Sequence, residues 1–220
     1  MSMKVLSVNV SLPQDFEFEG QTIRTAIFKR PVSGAVALGQ THLAGDGQAN
    51  LAVHGGIHKA VYAYSHDHYG WWAKTLGRDD LSCGQFGENL TIAGMDEKEI
   101  SIGDRLRIGS TLLAVTGPRI PCAKLGYRFN DKTMPGKFTE AARPGCYFRV
   151  IESGTIEAGN PVDLLPGSPD NVSIKEMYLA YCKPRSSAAV SILEQALLLP
   201  DLDPAFVPNI KKRLRASGNE

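Results

Sequence analysis

Glycine and proline recur every few residues from Pro13 to Pro169, and the apolar runs between them are short. Inside a helix Gly costs ~1 kcal/mol and Pro ~3 kcal/mol relative to Ala, so long helices are disfavoured there. Short strands joined by tight turns remain. Residues 4–11 alternate loosely, with Val5, Ser7 and Asn9 opposite Leu6, Val8 and Val10. Residues 22–29 and 35–38 are short apolar runs bounded by Gly or Pro. Residues 59–65 carry the Val and Tyr content of a strand. Residues 105–108 and 112–116 flank Gly109-Ser110 and read as a hairpin. Residues 146–151 and 161–165 flank a further turn at Gly154 and Gly159. Only residues 68–76, with Trp71 and Trp72, read as helical in this part of the chain. The pattern predicts a mainly β fold, a sandwich or barrel, without the strand–helix alternation of a nucleotide-binding βαβ unit.

The pattern changes at the breaker cluster Pro166-Gly167-Ser168-Pro169-Asp170, which predicts one unit over residues 1–168 and another over 169–220. Ser173, with Glu176 three residues on, is a capping-box signature for a helix running to about Cys182. Residues 188–199 carry an apolar stripe of Ala189, Ile192, Leu193, Ala196 and Leu197. Residues 206–216 read as a third helix, basic towards its end at Lys211, Lys212, Arg213 and Arg215. Three short helices bury little alone, so they are expected to dock on the β unit or on a partner subunit.

Charge is nearly balanced, with 24 Lys and Arg against 23 Asp and Glu, which argues against a broadly basic nucleic-acid surface. No apolar run reaches the ~18 residues of a membrane span. The N-terminus meets polar Asn9 and Ser11 too early for a signal peptide. A cytoplasmic protein with reduced thiols is therefore expected. Cys83, Cys122, Cys146 and Cys182 form no C-x-x-C pair, so a zinc knuckle or thioredoxin-type motif is not expected.

Three constellations could carry chemistry. In Gly117-Pro118-Arg119-Ile120-Pro121-Cys122-Ala123-Lys124, two prolines stiffen a strand end around one thiol. Arg119 and Lys124 lie within three residues, and nearby cations favour the nucleophilic, metal-ligating thiolate. The alternative is a small buried hydrophobe, the reading preferred for Cys83, Cys146 and Cys182. In His54-Gly55-Gly56-Ile57-His58-Lys59 the paired glycines forbid a zinc-binding helix. They allow close backbone approach to an anion, with His54 and Lys59 adding donors; a plain turn between strands is the alternative. In Phe86-Gly87-Glu88-Asn89-Leu90, a carboxylate and an amide in apolar surroundings either pin loops or touch a ligand. His66-Asp67-His68 is read as a helix entry with Asp67 as cap rather than as a metal site.

Taken in order, Gly45-Asp46-Gly47-Gln48, His54-Gly55-Gly56 with Lys59, Phe86-Gly87-Glu88-Asn89-Leu90, Ile102-Gly103-Asp104 and Pro118-Arg119-x-Pro121-Cys122 resemble the MOSC domain family. These domains are shared with molybdenum-cofactor sulfurases, which brings an association with the pyridoxal-phosphate superfamily. The spacing is most similar to the YiiM-like branch, bacterial proteins linked to 6-hydroxylaminopurine resistance. Lys29-Arg30-Pro31-Val32 and Gly145-Cys146-Tyr147-Phe148-Arg149-Val150 resemble that branch too, and the tail resembles its three-helix extension.

The resemblance implies a mixed β-barrel and a molybdenum cofactor in its molybdopterin form, with one cysteine ligating the metal. Carried over, Cys122 is the metal ligand and the centre of catalysis. Lys29, His54, Gly55, Gly56, Lys59, Arg119 and Lys124 become anion and pterin contacts, with Asn89 at the pterin edge. Glu88 is the candidate proton donor. The implied activity is reduction of small N-hydroxylated compounds, with electrons from a separate reductase, since no flavin, haem or iron–sulfur signature is present. No nucleic-acid or membrane partner is implied, and a homodimer is compatible with this reading. A cofactor carrier without turnover is the alternative. A cysteine hydrolase or sulfur-transfer protein is a third reading and needs a base beside Cys122. Asn50 departs from the branch's usual Asp, Ala123 stands where an aromatic is frequent, and the last helix lacks the branch's Trp-Arg pair.

Overall fold

The computed structural model describes residues 2–49, 55–183 and 186–217. His54 and Asn50 lie outside them.

The first strand, β1 (Met3–Val10), buries both Val5 and Val8. Strict alternation would put these on opposite faces. A register shift between Val5 and Ser7, where β1 pairs with a later strand, adds the extra residue that turns both inward. The chain continues through β2 (Gln14–Phe18), β3 (Gln21–Thr25), β4 (Arg30–Val32), β5 (Val36–Leu38), β6 (Val61–Ser65) and β7 (Leu90–Ala93). It ends its β-structure with β8 (Arg105–Ile108), β9 (Thr111–Pro118), β10 (Cys146–Glu152), β11 (Gly154–Ile156) and β12 (Pro161–Leu165).

Seven strands close into a barrel in the order β12-β8-β9-β10-β6-β7-β1, with β1 pairing back to β12. The β6–β7 contact is parallel and the other six are antiparallel, so the barrel is mixed. Strand β4 adds to the outside of β1, while β2–β3 and β5–β11 form separate two-stranded ribbons. The Gly109-Ser110 hairpin forms as expected. The run 22–29 is a strand only to Thr25; residues 26–29 leave the ribbon. Strands β10 and β12 do not pair with each other, because β11 diverts the chain to β5.

Strand β6 is buried on both faces. Val61 and Ala63 join the barrel core, whereas Tyr62 and Tyr64 enter a second, aromatic core outside it. That outer core holds Trp72, Phe86, Phe129 and Phe138. Three helices cover it: α1 (Tyr69–Leu76), α2 (Ala123–Phe129) and α3 (Met134–Ala141). The sequence reading had only α1. Helices α2 and α3 are seven and eight residues long and fit around the breakers. Pro135 sits in the first turn of α3, where its missing N–H costs nothing. Asp67 does not cap α1; its carboxylate accepts from Gly94 N–H at 3.1 Å.

The C-terminal helices are α4 (Ile174–Cys182), α5 (Ser187–Ala196) and α6 (Val207–Ser217). The capping box at Ser173 and Glu176 is formed. Apolar side chains of all three helices join one buried cluster with the barrel strands, including Met177, Leu193 and Ile210. Asp201, between α5 and α6, ties the tail down electrostatically. Arg149 reaches its Oδ1 at 3.0 and 2.5 Å, and Arg105 reaches its Oδ2 at 3.0 Å. No helix among the described residues is long and apolar enough to cross a membrane.

Candidate functional site

Strand β9 ends at Pro118, and four residues lead to α2. Cys122 is the last extended residue before that helix (φ −134°, ψ 173°), and its carbonyl accepts from Leu125 N–H at 3.0 Å. Its side chain is half-buried on the wall of a cleft at the barrel's edge. The same cleft is lined by Lys29, Lys59, Asn89, Arg119 and Lys124. Four chain segments distant in sequence thus meet at one cleft. Gly55 and Gly56 are not on this wall; the Gly56 N–H donates to Gln48 Oε1 at 3.1 Å.

Arg119 is the best-buried cation of the cleft, 5% exposed. One Nη donates to the Phe86 carbonyl, and the guanidinium lies 4.9 Å from the Tyr62 ring centroid. Burial works against its charge, but the facing Tyr62, Tyr147 and Cys122 outweigh this and raise its pKa above the ordinary value. Among the described residues no carboxylate pairs with Arg119 or with Lys124. Lys29 is ion-paired with buried Asp46; burial lowers its pKa, and Asp46 opposes the shift. Lys59 Nζ lies 3.3 Å from Asp203 Oδ2.

Asn89 faces the cleft but has its hydrogen bonds taken. Its Oδ1 accepts from Tyr62 N–H (3.1 Å), and its Nδ2 donates to Asp46 Oδ2 (2.9 Å) and the Asn9 carbonyl (3.3 Å). It locks β6, β1 and the Asp46 loop together. Glu88 does not reach the cleft. It is fully buried and accepts from the Tyr69 hydroxyl, Gly84 N–H (2.8 Å), Phe86 N–H (3.0 Å) and Thr91 Oγ1 (2.8 Å). Burial pushes its carboxyl up from the ordinary range, and these donors oppose the shift. Its visible work is to shape residues 84–88, so that Gly87 (φ 74°) packs on Ile27. A Cβ on Gly87 would lie 2.7 Å from Ile27 Cγ1.

Sequence reasoning missed several wall residues. Asp46 and Gln48 stood in a motif already singled out, and Tyr147 stood in another. Tyr62 had only the signal of a Tyr-rich strand. Thr25, Ala26 and Ile27 line the cleft with no sequence signal at all. The other cysteines lie elsewhere: Cys146 is in the barrel core, and burial raises the thiol pKa of Cys83 and Cys182. No cluster of three or more His, Cys, Asp or Glu is positioned to hold a metal among the described residues.

The donor chemistry of the cleft fits a metal–pterin group. A thiolate is a soft ligand suited to a redox metal. Guanidinium and ammonium groups bind phosphate oxygens through charge-assisted hydrogen bonds. No described His lines the cleft, so the base required by a cysteine hydrolase is not among its described wall residues.

A sequence profile described as "MOSC domain" matches residues 50–163. The uncharacterized protein YflK of Bacillus subtilis (strain 168) is 42% identical over 171 residues, covering 78% of this chain and 77% of that protein. A protein named "Reductase" from Gibberella moniliformis is 32% identical over 201 residues, which are 90% of this chain but 35% of that protein. The crystal structure of YiiM from Geobacillus stearothermophilus superposes with a TM-score of 0.79 at 29% identity, covering 96% of this chain and 99% of that one. With more than half its length matched and its barrel shared, this chain belongs to the MOSC domain family and is YiiM-like.

Proposed function

We propose that this chain is a molybdenum-cofactor-dependent reductase that removes oxygen from small N-hydroxylated compounds. MOSC domains are generally associated with molybdenum-cofactor binding, so a molybdenum-cofactor-associated function applies to the chain in general. One observation carries the finer reading. The cleft holds a cation, Arg119, that is almost wholly buried without a carboxylate partner, beside the half-buried Cys122. The facing Tyr62, Tyr147 and Cys122 keep that guanidinium charged, and with no carboxylate partner it is placed to bind an anionic ligand through charge-assisted hydrogen bonds.

When bound, the cofactor supplies reversible two-electron chemistry and oxygen-atom acceptance. The chain's residues hold and orient it. Cys122 Sγ would ligate the metal, while Arg119, Lys59 and Lys124 would bind the anionic end. Asn89 and Asp46 fix Lys29 and the loops of the wall. In the net reaction the N–O bond breaks, two electrons and two protons are consumed, and an amine and water leave. Glu88 is sealed from the cleft, so the protons come from solvent. The electrons come from a separate reductase. Homology to a protein named "Reductase" supports the class of reaction.

The test uses full-length chain purified from a cofactor-producing host. With an artificial electron donor, 6-hydroxylaminopurine is converted to 6-aminopurine and water. Bound cofactor without turnover would overturn the reductase and support the carrier.

A further inference from the structure

Cys122 also lies on the wall of a second cleft, which opens between the barrel and the C-terminal helices. Its volume, about 370 Å³, falls within the ~300–1,000 Å³ of small-molecule pockets. Lys59, Ile120 and Tyr147 are shared with the first cleft, so these residues and Cys122 separate the two. The opposite wall comes from the tail: Tyr181 at the end of α4, Ala205 and Phe206 in the turn before α6, and Asn209 on α6.

That wall is held in place. Asp203 N–H donates to the Thr116 carbonyl of β9 at 3.0 Å, and its carboxylate pairs with Lys59. Tyr181 and Phe206 meet edge to face, centroids 5.2 Å apart and planes at 87°. Arg213 covers the Tyr181 ring at 4.4 Å. Phe206 comes so close to β9 that a Cβ on Gly117 would lie 2.8 Å from its Cε2. The cleft thus combines the fixed aromatic surfaces of the tail and Pro118 and Pro121 of the barrel side with one exposed amide, that of Asn209, at the rim.

We propose that this second cleft is the substrate site and that the tail helices supply its selectivity. The proposal rests on the reductase reading above. The ligand class is a flat, uncharged heteroaromatic bearing an N-hydroxyl group. Its ring packs among Tyr147, Phe206 and the prolines, its polar edge meets the Asn209 amide, and the hydroxylated nitrogen points to Cys122. A cofactor held from the first cleft would then be reached by substrate from the second. The helical extension is a working part of the site under this proposal.

The test is calorimetric binding of 6-hydroxylaminopurine to full-length wild type, Ala205→Trp and Asn209→Ala. Both positions are exposed, so neither substitution disturbs the core. Ala205→Trp fills the mouth and weakens binding by at least about tenfold, as a steric clash does. Asn209→Ala removes one hydrogen bond and weakens binding by about three- to tenfold. Unchanged binding in both variants, or no binding to wild type, would overturn the assignment. Tight binding lost in Ala205→Trp, with no turnover in wild type, would sink the reductase reading and leave the cleft assignment standing.

Discussion

Lys59 Nζ sits 3.3 Å from Asp203 Oδ2, which joins the turn after the double glycine to the segment between α5 and α6. Both side chains are mostly buried, 15% and 8% exposed. Asp203 does a second job: its Oδ1 accepts from Ala205 N–H at 2.9 Å and caps the short turn that carries Phe206. The cation wall of the first cleft and the aromatic wall of the second are therefore coupled through one carboxylate.

Asp203→Ala removes the cap and one side of this ion pair. Lost caps cost ~1 kcal/mol, and broken buried pairs cost up to ~3–5 kcal/mol. Urea unfolding is expected to show a loss between those limits, with the transition midpoint lowered and its slope unchanged. A midpoint within error of wild type would contradict the coupling.

Gly117→Ala places a methyl against Phe206 on a backbone with φ 152°. Overpacking of this kind costs ~1–3 kcal/mol. If the clash is the cause, adding Phe206→Leu recovers part of the loss in a double-mutant cycle. Strict additivity would show that backbone strain alone is responsible.

Glu88→Gln keeps the shape of the side chain but replaces one acceptor oxygen with a donor, inside a pocket built from four donors. Stability falls by ~1–3 kcal/mol. Because Glu88 does not line either cleft, the pH profile of turnover keeps its shape. A lost limb in that profile would restore Glu88 as the proton donor.

Acid sensitivity originates in Glu97, a buried carboxylate that lines neither cleft. Burial alone would raise its pKa, but hydrogen bonds from His68 (2.9 Å) and Gly145 N–H (3.0 Å) outweigh that and lower it. A carboxyl lowered on folding adds stability that is fully present above its unfolded value, ~4.3, and is lost as pH falls through the folded value. Wild type therefore loses stability steeply in acid, and Glu97→Gln flattens that limb while lowering stability at neutral pH. Parallel curves of melting temperature against pH would refute the assignment.

The barrel was legible because its strands are short, apolar and punctuated by glycines. Cys122 stood out through its flanking prolines and cations. What stayed hidden depends on contacts between distant segments. The inward turn of both Val5 and Val8 follows from a register shift that only the pairing with β7 reveals. Helices α2 and α3 are too short for periodicity to register, and their Gly and Pro read as breakers. Glu88 looked reactive because a carboxylate among apolar residues is rare. Three of its four donors, at 84, 86 and 91, are its own loop and strand neighbours, but the turn that aims them at it has no signature in composition, and the fourth, Tyr69, comes from α1. The part played by Phe206 and Asn209 at the second cleft depends on how the tail docks, which composition does not encode.

The central claim is that Cys122 holds the metal. Molybdenum content of freshly purified wild type and Cys122→Ala, produced side by side in a cofactor-producing host, tests it most directly. The account predicts molybdenum in wild type and a drop of at least about tenfold in the variant, at the low end of what is seen when metal-site partners are removed. Equal molybdenum in both proteins would contradict it.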